Sequence, residues 1–216
     1  MVPQGIRFQT EDGLALEGEI RTPDGEARGV AVICHAHPQF GGSKDHPLLW
    51  AIRIELAHRQ FVVLTFNFRG IMGSEGEYGG GIQELADVRA AIGRAREGMN
   101  GPTFLVGWSF GAHVALREAI DDERVAALAL VGMPLLDTDL PPLPGSDRLG
   151  AYHRPVLLLA GDADQYCPEM ELTSLAEKLG DATVEVVPGT DHYFPKRERE
   201  AGRIVAEFAV HAIEAE

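Results

Sequence analysis

Cysteine is scarce: the 216-residue chain has two, Cys34 and Cys167. They form no disulfide framework and have no metal-ligand spacing, so a disulfide-stapled fold is excluded and a reducing, cytoplasmic setting is expected. Basic side chains are also in short supply. The 19 lysines and arginines face 33 aspartates and glutamates, a net charge of −14. Surfaces that bind nucleic acid or anionic membrane need clustered positive charge, so neither is expected as a partner. No apolar run approaches the length of a membrane span. The opening residues, Met1-Val-Pro-Gln-Gly-Ile-Arg7, hold no apolar h-region, so no secretory leader is expected. Repeats, low-complexity tracts and linkers are missing too. One domain over residues 1–216 is the expectation, long enough for a well-filled core.

What the chain does have is short apolar runs punctuated by glycine. Thr103 to Val106 reads as a buried strand, Gly107-Trp-Ser-Phe-Gly111 follows, and Ala112 to Ile120 is helix-forming. A serine at the apex of a sharp strand-to-helix turn sits in a strained backbone. The strand and helix come so close that glycine is needed two residues to either side. Ser109 Oγ is thereby lifted above the sheet at a helix N-terminus, and the Phe110 N–H points to where an oxyanion would form.

The other strands expected are Ile6–Thr10, Leu14–Arg21, Gly29–Cys34, Phe61–Phe66, Val125–Val131, Pro155–Ala160 and Thr183–Val187. Helices are expected over Pro47–Arg59, Gly81–Glu97 (with Ile82, Leu85, Val88, Ile92 and Ala95 on one face), Pro168–Leu179 and Arg197–Ile213. Strands alternating with helices imply a mostly parallel sheet covered on both faces, with ligands beyond the carboxyl ends of its strands. His35 and His37 follow the third strand, Arg69 the fourth, Ser109 the fifth, Asp162 and Asp164 the seventh, and His192 the last. Serine, then acid, then histidine is the chain order of one triad class, and either aspartate suits the acid's place. His35 and His37 have an i, i+2 spacing that metal ligands use. The metallo-hydrolase pattern wants Asp and His next, and Pro38 and Gln39 stand there, so no metal is expected. His35 reads as a loop-bracing hydrogen-bonder, Arg69 as a tie for its own loop with substrate-carboxylate binding as the alternative, and His113 as packed. Cys34 ends a buried strand and is no rival nucleophile, whereas Cys167 is placed to approach the site.

His35-Ala-His-Pro38 with Gly41-Gly42, Phe66-Asn-Phe-Arg-Gly70 with Gly73-Ser-Glu-Gly76, Gly107-Trp-Ser-Phe-Gly111, Gly161-Asp-Ala-Asp164 with Pro168, and Gly189-Thr-Asp-His192 together span most of the chain. In these the chain resembles the α/β-hydrolases. More narrowly it resembles the small cap-less members related to dienelactone hydrolase and to prolyl-oligopeptidase-like esterases. The resemblance implies a mostly parallel eight-stranded sheet with the second strand antiparallel, helices on both faces, and no cap domain. It also implies a carboxylesterase-like serine hydrolase that cleaves a small ester or related acyl bond through an acyl-enzyme. The family's G-x-x-D pattern selects Asp164 as the acid beside Ser109 and His192. Its oxyanion pattern adds the N–H of His37 to that of Phe110, although many members have His-Gly where this chain has His35-Ala36. A small-molecule acyl substrate, no cofactor, and a monomer or homodimer are expected. Thioester or short-peptide hydrolysis and a non-catalytic ligand-binding role are the alternatives. Residues 133–154, where caps enter, are few and broken by Pro134, Pro141, Pro142 and Pro144.

Overall fold

The short apolar runs fold as strands. The computed structural model describes residues 2–136 and 139–214. In chain order the strands are β1 (Gln4–Gln9), β2 (Ala15–Arg21), β3 (Gly29–Cys34), β4 (Phe61–Phe66), β5 (Thr103–Trp108), β6 (Val125–Val131), β7 (Val156–Gly161) and β8 (Ala182–Val187). They form an eight-stranded sheet in the order β1-β2-β4-β3-β5-β6-β7-β8. β2 runs antiparallel to β1 and β4, and the pairings from β4 across to β8 are parallel. β3, β4, β5 and β7 are buried along their whole length, as continuous apolar runs in a doubly covered sheet should be. β2 and the edge strand β8 alternate instead, with Thr183 and Glu185 of β8 turned to solvent.

Helices cover both faces. α1 (Pro47–His58) and α6 (Glu198–Glu214) pack on one; α2 (Glu84–Ala95), α3 (Phe110–Ala119), the short α4 (Ser146–Gly150) and α5 (Glu169–Ala176) pack on the other. Successive strand residues serve opposite layers. Val30, Val32 and Cys34 face the second group, Ala31 and Ile33 the first. Each buried Val, Leu or Ile in these layers contributes roughly 1.5–3 kcal/mol over its exposed state.

One sequence expectation is corrected. The second helix starts at Glu84 rather than Gly81, and Ile82 lies outside the apolar face at 60% exposure. The cause is local: Glu84 turns inward and takes the backbone N–H groups of Gly79 and Gly81, which holds those glycines in a turn. Asp87 is buried on the same inward face, where periodicity reads only the apolar positions. Between β6 and β7 the described residues include a short helix, α4, for which no element was expected and whose Leu149 joins the core. α4 is part of the domain's own packing, and there is no separate cap.

Candidate active site

At the end of β5 the chain reverses into α3 through one residue. Ser109 holds φ 56 and ψ −122, a conformation that costs an ordinary residue about 1–3 kcal/mol. The turn is possible only with glycine on either side. A Cβ at Gly107 would lie 2.3 Å from the Gly111 carbonyl oxygen, and one at Gly111 would lie 2.4 Å from that of Cys34. Ser109 N–H donates to Val131 O at 2.8 Å, which fastens the elbow to the neighbouring strand. The serine is largely buried, at 9% exposure.

His192 comes from the loop after β8, Asp164 from the loop after β7. His192 Nε2 is 2.9 Å from Ser109 Oγ. Its Nδ1 is 2.9 and 3.1 Å from the two carboxylate oxygens of Asp164. Asp164 also accepts the N–H groups of Tyr166 and Cys167 at 2.9 and 3.1 Å, so its carboxylate is fixed by three donors. A carboxylate so placed holds the proton of a neutral imidazole on Nδ1 and leaves Nε2 free to accept from the hydroxyl. The backbone gives way to this pair at the end of β6. Gly132 has φ 51, and a Cβ there would stand 3.1 Å from Asp164 Oδ2 and 3.2 Å from His192 Nδ1. Asp162 is elsewhere: it accepts the N–H groups of Gly189 and Thr190 at 2.8 and 3.2 Å and braces the histidine's loop. Those bonds hold its carboxyl below the usual range.

Across the serine lies the loop after β3. Among the described residues neither the Phe110 N–H nor the His37 N–H has a hydrogen-bond partner within the chain. The His37 and Phe110 rings meet edge to face at 5.1 Å. Ala36 does not adopt a positive φ, so a side chain sits there without strain in place of the family's glycine. His35 is fully buried. Its Nε2 accepts the Phe68 N–H at 3.0 Å and its Nδ1 donates to Ala36 O at 2.6 Å, so both nitrogens are spent on bracing. Burial pushes its pKa down to about 4.

The other singled-out residues do not join Ser109. Arg69 is tied to Asp87 on α2 and to Asp12 in the β1–β2 turn. His113 is buried one turn beyond the serine, and burial takes its pKa to about 4. The Cys34 and Cys167 thiols are both buried. Burial raises both, Cys167 to about 12, and Cys167 approaches the site only through its N–H on Asp164. Sequence reasoning missed Trp108, whose indole N–H donates to His192 O at 3.2 Å and links elbow to histidine loop. It also missed the tyrosines flanking His192, Tyr166 at 4.9 Å and Tyr193 at 5.4 Å between ring centroids. Their adjacency to Asp164 and His192 in the chain was the available signal.

Comparison with known proteins agrees with this architecture. The family described as "Alpha/beta hydrolase domain" matches residues 29–215. An uncharacterized protein of Mycobacterium tuberculosis is 30% identical over 91% of this chain and 75% of its own. The structure of an alpha-beta serine hydrolase homologue from Coxiella burnetii superposes with a TM-score of 0.84 at 26% identity, covering 96% of this chain and 97% of that one. A lidless a/b serine hydrolase from Xanthomonas campestris shares the fold, with a TM-score of 0.84 at 22% identity over 98% of this chain and 95% of its own. A glycine-flanked serine turn on a mostly parallel eight-stranded sheet, together with a family match over most of its length, shows that this chain belongs to the alpha/beta hydrolase family, in its cap-less form.

Proposed function

We propose that the protein is a serine hydrolase that cleaves a small carboxylic ester through an acyl-enzyme, with Ser109, His192 and Asp164 as its catalytic residues. The observation that carries this reading is the unbroken line Asp164–His192–Ser109, three residues from three strand ends joined by contacts of 2.9 Å. Ser109 Oγ attacks the ester carbonyl carbon as its proton passes to His192 Nε2. The carbonyl π electrons move to oxygen, and that oxyanion is met by the N–H groups of Phe110 and His37. Asp164 keeps Nδ1–H in place and stabilises the imidazolium. Collapse of the tetrahedral species breaks the C–O bond, and the proton on Nε2 leaves with the alcohol. Water, deprotonated by the same nitrogen, then attacks the acyl-enzyme and releases the acid and Ser109. The lack of a separate cap suits short or polar acyl groups.

The test is labelling with a fluorophosphonate probe beside hydrolysis of p-nitrophenyl esters of increasing chain length. Ser109→Ala is expected to abolish labelling and lower kcat by roughly 10⁴ or more while the fold persists. A folded Ser109→Ala protein that keeps most of its activity refutes the mechanism.

A further inference from the structure

Of the two proposed oxyanion donors, His37 lies in the loop after β3 and Phe110 opens α3, so they come from separate segments of the chain. The loop between β4 and α2 touches both. Its geometry begins at Glu84, fully buried, whose two carboxylate oxygens accept the N–H groups of Gly79 at 2.6 Å and Gly81 at 2.8 Å. Charge-assisted bonds of this kind are short and strong, and Gly80 and Gly81, at φ 72 and 77, complete the turn. The turn fixes where Tyr78 leaves it. The Tyr78 phenol oxygen lies 3.1 Å from His37 Nε2. Its ring centroid is 5.0 Å from that of His37 and 5.8 Å from that of Phe110.

The direction of the bond follows from the other side of the imidazole. His37 Nδ1 accepts the Gln39 N–H at 3.2 Å, so the proton of the neutral ring sits on Nε2 and is donated to the tyrosine oxygen. Burial lowers the His37 pKa, which favours the neutral ring. Burial and the charges of Glu84 and Asp139 raise the Tyr78 pKa, which keeps it a phenol.

We propose that Tyr78 is a positioning residue for the oxyanion site: by holding the His37 side chain and packing on Phe110, it sets the spacing of their two backbone N–H groups. The inference rests on the serine-hydrolase reading above. Such a residue acts where charge has developed on the carbonyl oxygen, so its loss lowers kcat and leaves KM in place.

Tyr78→Phe keeps the ring and removes the hydrogen-bonding oxygen. With p-nitrophenyl acetate as substrate, kcat should fall about tenfold with KM within about twofold of wild type. Phenylboronic acid, whose boron takes Ser109 Oγ to form a tetrahedral adduct, should bind weaker by a similar factor. His37→Ala retains its backbone N–H and breaks the same bond from the other end. It should cost about as much, and the double variant no more than either alone. Should Tyr78→Phe fail to fold, the His37→Ala arm decides by the same two measurements. Unchanged kcat and boronate affinity in the folded variants overturn the proposal, as do additive losses in the double variant or a raised KM with wild-type kcat. A wild-type protein that hydrolyses no ester and takes no fluorophosphonate overturns the hydrolase reading, and this inference with it.

Discussion

Two buried polar networks lie at the carboxyl edge of the sheet, and they end differently. On the β4 side, Arg69 spends its guanidinium on Asp87, Asp12 and Gln83, while its backbone N–H also goes to Asp87. That network is closed: it fastens the β4–α2 loop to the helix behind it and to the β1–β2 turn. On the other side, Asp164 takes two backbone N–H groups and one imidazole, and His192 passes the line to Ser109, where it stops at a hydroxyl. The same materials, a buried carboxylate and a cation or proton donor, make a fastener in one place and an open-ended line in the other. The difference is the last member. Ser109 sits on a strained turn at the end of a strand, with its hydroxyl passing the line to no further side chain, whereas Asp87 and Arg69 are enclosed by partners.

The sharpest way to separate the two is to mutate their carboxylates and arginine. Asp164→Asn offers His192 an amide in place of the charge, and kcat should fall by orders of magnitude with little change in thermal midpoint. Asp162→Asn, measured alongside, should lower the midpoint slightly and keep kcat. A catalytically dead Asp162 variant beside an active Asp164 one would reverse the assignment. Arg69→Leu should do the opposite of Asp164→Asn. It leaves Asp87 buried without its charge partner, so about 3–5 kcal/mol of stability should be lost in denaturant unfolding. The kcat of the folded fraction should stay near wild type. A large fall in kcat with unchanged stability would move Arg69 into the reaction.

A smaller effect comes from the histidines that neither network uses. His35 and His113 have folded pKa values of about 4, depressed by burial from an ordinary value of about 6.5. The stability held by keeping them neutral is present above about pH 6.5, and is lost as the unfolded chain takes up protons between there and about pH 4. The ceiling is about 3 kcal/mol per histidine. Since burial disfavours a charged His113, His113→Leu should flatten the acid limb of the midpoint–pH curve. An unchanged slope would show that His113 charges freely in the folded state.

The sequence carried the sheet because strand runs such as Gly29–Cys34 and Phe61–Phe66 are apolar throughout, and burial on both faces is what such runs need. It put Ser109, an aspartate and His192 at strand ends, a fixed place in this architecture, so chain order stood in for proximity; the choice of Asp164 over Asp162 came from the family resemblance. The inward turn of Glu84 and Asp87 was not legible. Periodicity counts apolar side chains, and these two are buried through their partners: backbone N–H groups for one, Arg69 for the other. Nor was the Trp108 bond to His192 O, because it joins residues 84 apart in sequence through a backbone carbonyl that no motif records.

The lack of a cap has a consequence in time. Enzymes that close a lid over their substrate wait microseconds to milliseconds for it to open, and many are limited by that step rather than by bond-making. Here, among the described residues, α4 is packed into the domain, and for the reaction proposed no lid has to swing aside before a small ester meets Ser109. For the reaction proposed, each turnover is timed by acyl transfer and by product diffusing away. A sudden pulse of substrate is met without a lag.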